Sequence, residues 1–319
     1  MPYAEKTSVL LIAPVMDALY EKLIAAYQVC KLYEESDAES FLKEKGDQFR
    51  AIITRGDTGV KTEILEKLPS LGLIAVFGVG TDAIDLTYTR QHDIAVTITS
   101  GILTSDVADM AIGLMLSGAR NLCQGDRFVR SRAWESEAPP LGSQVSGKRL
   151  GIVGMGNIGQ AIARRALAFD MHISYNSRSK KEALPYTWQA NLLSLARESD
   201  FLVIAASGGA HTKNLINSDV IAAMPAHAWL VNIARGSMVD EPALIDAVQS
   251  NKIAGAALDV FASEPNVSEA WLALENVVLQ PHVGSATHET RQKMCESVLA
   301  SVDAFFTGKT LPSQVRGPL

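Results

Sequence analysis

The stretch Leu150-Gly151-Ile152-Val153-Gly154-Met155-Gly156-Asn157-Ile158-Gly159 decides the fold. Leu150–Val153 is a short apolar run of strand length, and the segment Gln160 to Ala168 behind it is helix-like. A GxGxxG turn between a strand and a helix is the context that dinucleotide binding requires. The first glycine permits the tight turn, the second lets backbone approach a pyrophosphate, and the third lets the helix pack on the strand. The helix N-terminus offers spare N–H groups and a partial positive charge to the phosphates.

Working outward, the same alternation of apolar runs and mixed-polarity segments continues on both sides. Downstream the strand candidates are His172–Tyr175, Phe201–Ile204, Leu230–Ile233, Ala256–Leu258 and Val277–Leu279. With Leu150–Val153 they make six parallel strands, the complement of a dinucleotide-binding domain. Upstream lie Val9–Ala13, Ala51–Thr54, Leu73–Val76 and Ile94–Ile98, again separated by helix-length segments. That rhythm implies βαβ units and a second parallel sheet. A helix is expected from about Ser105 to Leu122, an irregular polar arm from Gln124 to Gly147, and another helix from about Thr290 to Phe306, with a tail from Leu311 to Leu319. The fold expected is α/β, with two doubly wound parallel-sheet domains. A Rossmann domain, residues 100–286, is inserted into a flavodoxin-like substrate-binding domain made of residues 1–99 and 287–319. A cleft is expected between them.

The 319 residues suit two domains at roughly 100–200 residues each. Hydrophobic residues at 47% and charged residues at 20% are those of an ordinary folded protein with core to spare. A net charge of −6, with no long run of Lys or Arg, argues against a nucleic-acid binder. Cys30, Cys123 and Cys295 are scattered and lack CxxC spacing, which points to a reducing compartment rather than a disulfide or zinc framework. Met1-Pro2-Tyr3-Ala4-Glu5-Lys6 lacks the pattern of a secretory leader, and Val9 to Ala13 is too short to span a bilayer. A cytoplasmic protein is expected, without membrane or nucleic-acid partners.

Cofactor choice is read from the next strand. An acid about 20 positions beyond the glycines would grip the adenosine ribose and favour NAD. Here the strand ends in Tyr175-Asn176-Ser177-Arg178-Ser179-Lys180-Lys181, with hydroxyls, an Arg and two Lys in place of the acid. Such a set suits a 2′-phosphate. Two charge-assisted bonds of about 1.5–3 kcal/mol each would favour NADPH over NADH by roughly a hundredfold or more.

Open α/β sheets bind ligands beyond the carboxyl ends of their strands. Ala234-Arg235-Gly236-Ser237 follows one strand, Asp259 and Glu264-Pro265 follow the next, and Gln280-Pro281-His282-Val283-Gly284-Ser285 the last. An Arg, an acid and a His therefore emerge at one sheet edge. They suit hydride transfer to a 2-oxoacid. Arg235 would hold the carboxylate and polarise the ketone, His282 would donate the proton, and Glu264 would fix the imidazole tautomer. Asp259 is assigned to the cofactor carboxamide. No metal is expected, since His282 and His288 have no carboxylate at ligand spacing.

At these residues the chain resembles the D-2-hydroxyacid dehydrogenase family over nearly its full length. The resemblance is carried by Val153 to Gly159, by Val231-Asn232-Ile233-Ala234-Arg235-Gly236, by Asp259-Val260-Phe261 with Glu264-Pro265, and by Pro281-His282-Val283-Gly284-Ser285-Ala286-Thr287. It implies that Arg235, Glu264 and His282 are catalytic. It implies that Phe77-Gly78-Val79-Gly80-Thr81-Asp82 grips the substrate carboxylate through the N–H groups of Val79 and Gly80, with Ser285 also near substrate. It implies a cofactor set of Thr104, Gly154, Gly156, Asn157, Ile158, Gly159, Asn176, Ser177, Arg178, Ser179, Ser207, Thr212, Ile233, Ala234, Asp259, His282 and Gly284.

Within the family, Ser177-Arg178-Ser179 and Ile102 to Asp109 look like the glyoxylate/hydroxypyruvate and hydroxyphenylpyruvate reductase branch. That branch implies NADPH preference and a homodimer through the nucleotide domain, with the arm around Trp134 either reaching the partner or simply packing. One departure is Ala206-Ser207-Gly208-Gly209-Ala210-His211-Thr212, where many relatives carry a Pro-containing loop. Three readings stay open. They are glyoxylate or hydroxypyruvate reduction, a broader reductase of bulkier 2-oxoacids such as phenylpyruvates or 2-ketogluconate, and a dinucleotide-sensing scaffold like the family's corepressors.

Overall fold

The computed structural model describes residues 7–315. The leader reading at residues 1–6 and the end of the tail, residues 316–319, lie outside them. The chain divides into two compact units, one made of the chain up to Leu103 and from Thr287, the other of Thr104–Ala286.

The first unit holds a five-stranded sheet: β1 (Ser8–Leu11), β2 (Gln28–Lys31), β3 (Phe49–Arg55), β4 (Leu73–Phe77) and β5 (Ala95–Thr97). All neighbours pair in parallel, in the order β2-β1-β3-β4-β5. That is the flavodoxin-like order. Strands covered on both faces read as continuous apolar runs, as Leu73–Phe77 does, and Leu10, Ile52, Ile74 and Val96 form the core between sheet and helices. Four strands match the expected runs. β2 was not anticipated, because Gln28-Val29-Cys30-Lys31 is a partly exposed edge with no apolar run. The helix expected from Thr290 begins earlier and spans His288–Phe306, opened by Thr287, whose hydroxyl accepts the Thr290 N–H at 3.2 Å.

The second unit holds seven parallel strands: β6 (Arg149–Val153), β7 (His172–Asn176), β8 (Thr187–Trp188), β9 (Phe201–Ile204), β10 (Trp229–Asn232), β11 (Gly255–Leu258) and β12 (Val277–Leu279). Their order is β12-β11-β10-β9-β6-β7-β8. This is the doubly wound Rossmann order with one more strand, and its switch point lies between β6 and β9. Six strands were expected; the addition is β8, too short to show a period.

The helix Thr104–Ala119 buries Val107, Ala108, Ala111, Leu114 and Met115. It ends before Asn121, which takes a left-handed conformation at φ 54°. The expected end at Leu122 is therefore corrected. So is the irregular arm: a helix spans Leu122–Arg130 and a single 3-10 turn spans Ala133–Glu135. This helix buries no residue. An Asp126–Arg130 pair at 2.8 Å, one turn apart, adds local support. No helix among the described residues is long and apolar enough to cross a membrane.

Candidate active site

The glycine turn after β6 sits at the switch point. Gly154 has φ 98°, and its N–H donates to the Asn176 carbonyl at 2.8 Å. A Cβ on Gly154 would stand 2.5 Å from the backbone of Ala206, and one on Gly159 would stand 2.1 Å from the Gly154 carbonyl oxygen. Close packing therefore demands both glycines. A Cβ on Gly156 would meet nothing within 4 Å. Gly156 is also the N-cap of the helix Asn157–Ala166, and no side chain caps that end. An open approach over Gly156, next to an uncapped helix N-terminus beginning Asn157-Ile158-Gly159, fits a dinucleotide pyrophosphate.

Three loops at the carboxyl ends of β10, β11 and β12 are knitted together. In the first, buried Asn232 accepts the Ala234 N–H at 3.0 Å and donates to the Arg235 carbonyl at 2.9 Å. This turn leaves Ile233 and Ala234 buried and sets the direction of Arg235, whose Nη1 donates to the Ala234 carbonyl at 2.8 Å. At Gly236 a Cβ would fall 1.9 Å from the Phe261 carbonyl, so only glycine lets the Arg235 loop lie on the β11 loop. In that second loop the Glu264–Pro265 bond is cis, and Glu264 Oε1 accepts the Phe261 N–H at 2.9 Å. Glu264 Oε2 lies 2.7 Å from His282 Nδ1.

The third loop hangs on Asp259. The Asp259 carboxylate is only 2% exposed, and its two oxygens accept the N–H groups of Val283 and Gly284, both at 2.8 Å. Its carbonyl accepts the His282 N–H at 2.9 Å. Between these bonds His282 is held at φ 55°, a left-handed conformation that costs a non-glycine residue about 1–2 kcal/mol. Gly284 has no room for a Cβ, which would meet Asp259 Oδ2 at 2.8 Å. Ser285 follows, half-buried. The anchoring roles of Asn232 and Asp259 went unread in the sequence; a buried polar type at a strand end was the only available signal.

Electrostatics follow from these contacts. Burial works to raise the Glu264 carboxyl, but the hydrogen bonds from His282 and Phe261, with the charges of His282 and Arg235, outweigh it and hold the group below its ordinary value. At Asp259 burial wins: it pushes the carboxyl up against the two loop N–H bonds and the charge of His282, helped by the charge of Glu264.

The turn after β7 is more committed than its sequence suggests. Lys180 is paired with Glu182 at 2.8 Å, so one of the expected lysines has an acid of its own. Ser177 Oγ donates to the Ser179 carbonyl at 2.7 Å, and the Asn176 amide is turned onto the carbonyls of Gln189 and Ala190 at 2.8 and 3.2 Å. Arg178 and Ser179 are exposed. After β9, the hydroxyl of Thr212 closes the loop onto the carbonyls of Ser207 and Gly209, both at 3.1 Å. Thr104 opens the helix Thr104–Ala119.

In the first unit, Val79 and Gly80 are half-buried in the turn after β4. Gly78 there takes φ 147°, and its carbonyl accepts the Thr99 N–H at 2.8 Å. Among the described residues no group of three or more His, Cys, Asp or Glu side chains is arranged to hold a metal ion.

Residues 112–284 match the model of the D-isomer specific 2-hydroxyacid dehydrogenase NAD binding domain. The chain belongs to the D-isomer specific 2-hydroxyacid dehydrogenase family. As a dehydrogenase of this family it carries Arg235, Glu264 and His282 all inside the matched span. It is 43% identical to 2-ketogluconate reductase of Gluconobacter oxydans and 41% identical to hydroxyphenylpyruvate reductase of Plectranthus scutellarioides, in each case over 98% of this chain and 99% of the relative. Among solved structures it is similar to an NADPH-dependent glyoxylate/hydroxypyruvate reductase from Sinorhizobium meliloti in complex with NADP and malonate. The TM-score there is 0.90 at 34% identity, covering 98% of this dehydrogenase and all of that chain. The coarse chemistry of this dehydrogenase is thus NAD(P)-dependent reduction of 2-oxoacids.

Proposed function

We propose that the enzyme reduces small 2-oxoacids, glyoxylate to glycolate and hydroxypyruvate to D-glycerate, with NADPH preferred over NADH. The observation that carries this is the 2.7 Å pair of His282 and Glu264, knitted to the Arg235 loop at the edge where an open α/β sheet binds its ligand. Nicotinamide, when bound, supplies the hydride. With that hydride taken up at C2 of the substrate, the carbon–oxygen π pair would move onto oxygen. His282 Nε2–H would give this oxygen its proton and become neutral, while Nδ1–H keeps its hydrogen bond to Glu264 Oε2. Arg235 binds the substrate carboxylate and ketone oxygen through its planar fork. The N–H groups of Val79 and Gly80 are assigned to the same carboxylate on the family resemblance.

NADPH preference is supported by the missing acid at the end of β7, by exposed Arg178, and by the naming of the Sinorhizobium relative. A broader 2-oxoacid specificity is the second reading, favoured by relatives named for 2-ketogluconate and hydroxyphenylpyruvate. A sensing scaffold would not need a proton donor with its own carboxylate. We also assign a homodimer through the nucleotide domain. Leu122, Val129, Trp134 and Leu141 are 54%, 56%, 66% and 96% exposed on one stretch of that domain, where a second copy would cover them. Three free cysteines fit a reducing, cytoplasmic location.

The test follows NADPH and NADH oxidation with glyoxylate, hydroxypyruvate, phenylpyruvate and 2-ketogluconate. Turnover with the two small acids and a lower KM for NADPH is expected. Absence of turnover with all four would favour the scaffold. His282→Ala should lower kcat by roughly 10²–10⁴. Sedimentation should give a dimer that Trp134→Arg weakens.

A further inference from the structure

The segment that would meet the adenosine 2′-phosphate leaves the sheet at Asn176 and rejoins it at Thr187. Its base is tied shut. Asn176 Nδ2 donates to the Gln189 and Ala190 carbonyls, and the Gln189 N–H donates to the Tyr175 carbonyl at 2.8 Å. Tyr175 and Trp188 stand opposite each other in the β7–β8 register. Paired residues of parallel strands project to the same face of a sheet. Both side chains reach back to the loop backbone. The hydroxyl of Tyr175, a fully buried residue, accepts the Lys181 N–H at 2.7 Å. The indole Nε1 of half-buried Trp188 donates to the Ser177 carbonyl at 3.3 Å. One aromatic therefore holds each end of the run Ser177–Lys181, and Arg178 and Ser179 project to solvent between the two anchors.

We infer that Tyr175 and Trp188 are positioning residues that brace this turn and so set how strongly the enzyme distinguishes a 2′-phosphorylated adenosine from an unphosphorylated one. The inference rests on the reading that Arg178 and its neighbours receive the 2′-phosphate. Exposed side chains on an unbraced loop must be ordered when the phosphate binds, and the ordering subtracts from affinity. With both backbone ends anchored, that ordering is already done in the free protein. The strand β8, absent from the expected set of six, supplies one of the two anchors.

Calorimetric titration of the full-length protein with adenosine 2′,5′-bisphosphate and with adenosine 5′-monophosphate separates the possibilities without measuring activity. Tyr175→Phe keeps the buried ring and removes only the hydroxyl; Trp188→Phe removes the indole donor while keeping a smaller aromatic ring. Each should raise the Kd for the bisphosphate about five- to tenfold and change the Kd for the monophosphate less than twofold. If one variant folds poorly, the other carries the test. Arg178→Ala is the reference. If Arg178→Ala abolishes the discrimination while both aromatic variants leave it intact, or weaken both ligands equally, the brace is refuted and the phosphate reading stands. If Arg178→Ala leaves the discrimination unchanged, the phosphate reading fails and the brace fails with it.

Discussion

Asp259→Asn is the sharpest probe of the site, because the structure gives it two opposing energies. Both Asp259 oxygens accept loop N–H groups, so an amide must present its own NH2 to one of them. One charge-assisted bond of about 1.5–3 kcal/mol is lost, and the survivor is a neutral bond of about 0.5–1.5 kcal/mol. Against it stands the left-handed backbone of His282 at about 1–2 kcal/mol. The surviving side-chain bond and the backbone bond of His282 to the Asp259 carbonyl then outweigh the strain by a narrower margin, and the loop holding His282 leaves its native position more often. A lost stabilisation near 1.4 kcal/mol is tenfold, and an ångström of misplacement at a reacting group reaches about a hundredfold. The expected fall in kcat/KM is thus about 10- to 100-fold.

Steady-state kinetics with NADPH and glyoxylate read the loss, and hydrogen exchange at the amides of Val283 and Gly284 reads the loosening. Because Asp259 acts through His282, the double variant Asp259→Asn/His282→Ala should lie within about threefold of His282→Ala alone, residues that act as a unit being non-additive. A single variant within twofold of wild type, or losses that multiply in the double variant, would sink this account of the loop.

Glu264→Gln should lower kcat/KM about 10- to 100-fold. Since the carboxyl of Glu264 is held below its ordinary value, it stays ionised at neutral pH and loses its charge only as pH falls through that lowered value. A Glu264-dependent drop in wild-type kcat/KM centred above about pH 4.3 would contradict this. Asp200 receives the Arg149 guanidinium at 2.7 Å, the Arg149 backbone N–H at 2.8 Å and His227 Nε2 at 2.8 Å. These contacts overcome burial and hold its carboxyl well below the usual range. Asp200→Asn should therefore destabilise by about 2 kcal/mol at pH 7, seen as roughly 4–8 °C in Tm. That difference should shrink as pH falls from about 3.9, where the carboxyl of the unfolded chain takes up its proton, down through the lowered folded value; a difference that grows on acidification would refute the linkage. Gly159→Ala forces backbone apart and should cost roughly 3 kcal/mol. Gly156→Ala should leave Tm within about 2 °C, its Cβ meeting open space, yet weaken NADPH binding at least about tenfold; equal melting of the two variants would overturn this division of roles.

Most of the sheets was legible because buried parallel strands must be apolar on both faces, and runs such as Phe201–Ile204 have no other reading at that length. The strands that escaped, β2 and β8, are edges with a partner on one side only, so no long apolar run is required of them. The helix Leu122–Arg130 escaped for another reason: it is short, Gly125 places a poor helix former in its middle, and its residues Leu122 and Val129 stay exposed.

The candidate site divides along the same line. Arg235, Glu264 and His282 were legible as chemical types at successive strand ends, because topology alone brings those ends to one edge. The parts that orient them were not, since each is a relation between positions far apart in the chain. Gly236 is glycine because Phe261 lies 1.9 Å from where its Cβ would be, and Asp259 is buried because the N–H groups of Val283 and Gly284 turn towards it. A sequence displays which groups can react; the contacts that hold them still appear only when the loops are laid against one another. Substitutions at Asn232, Gly236 and Asp259 should accordingly act on the reaction through Arg235 and His282 rather than in addition to them.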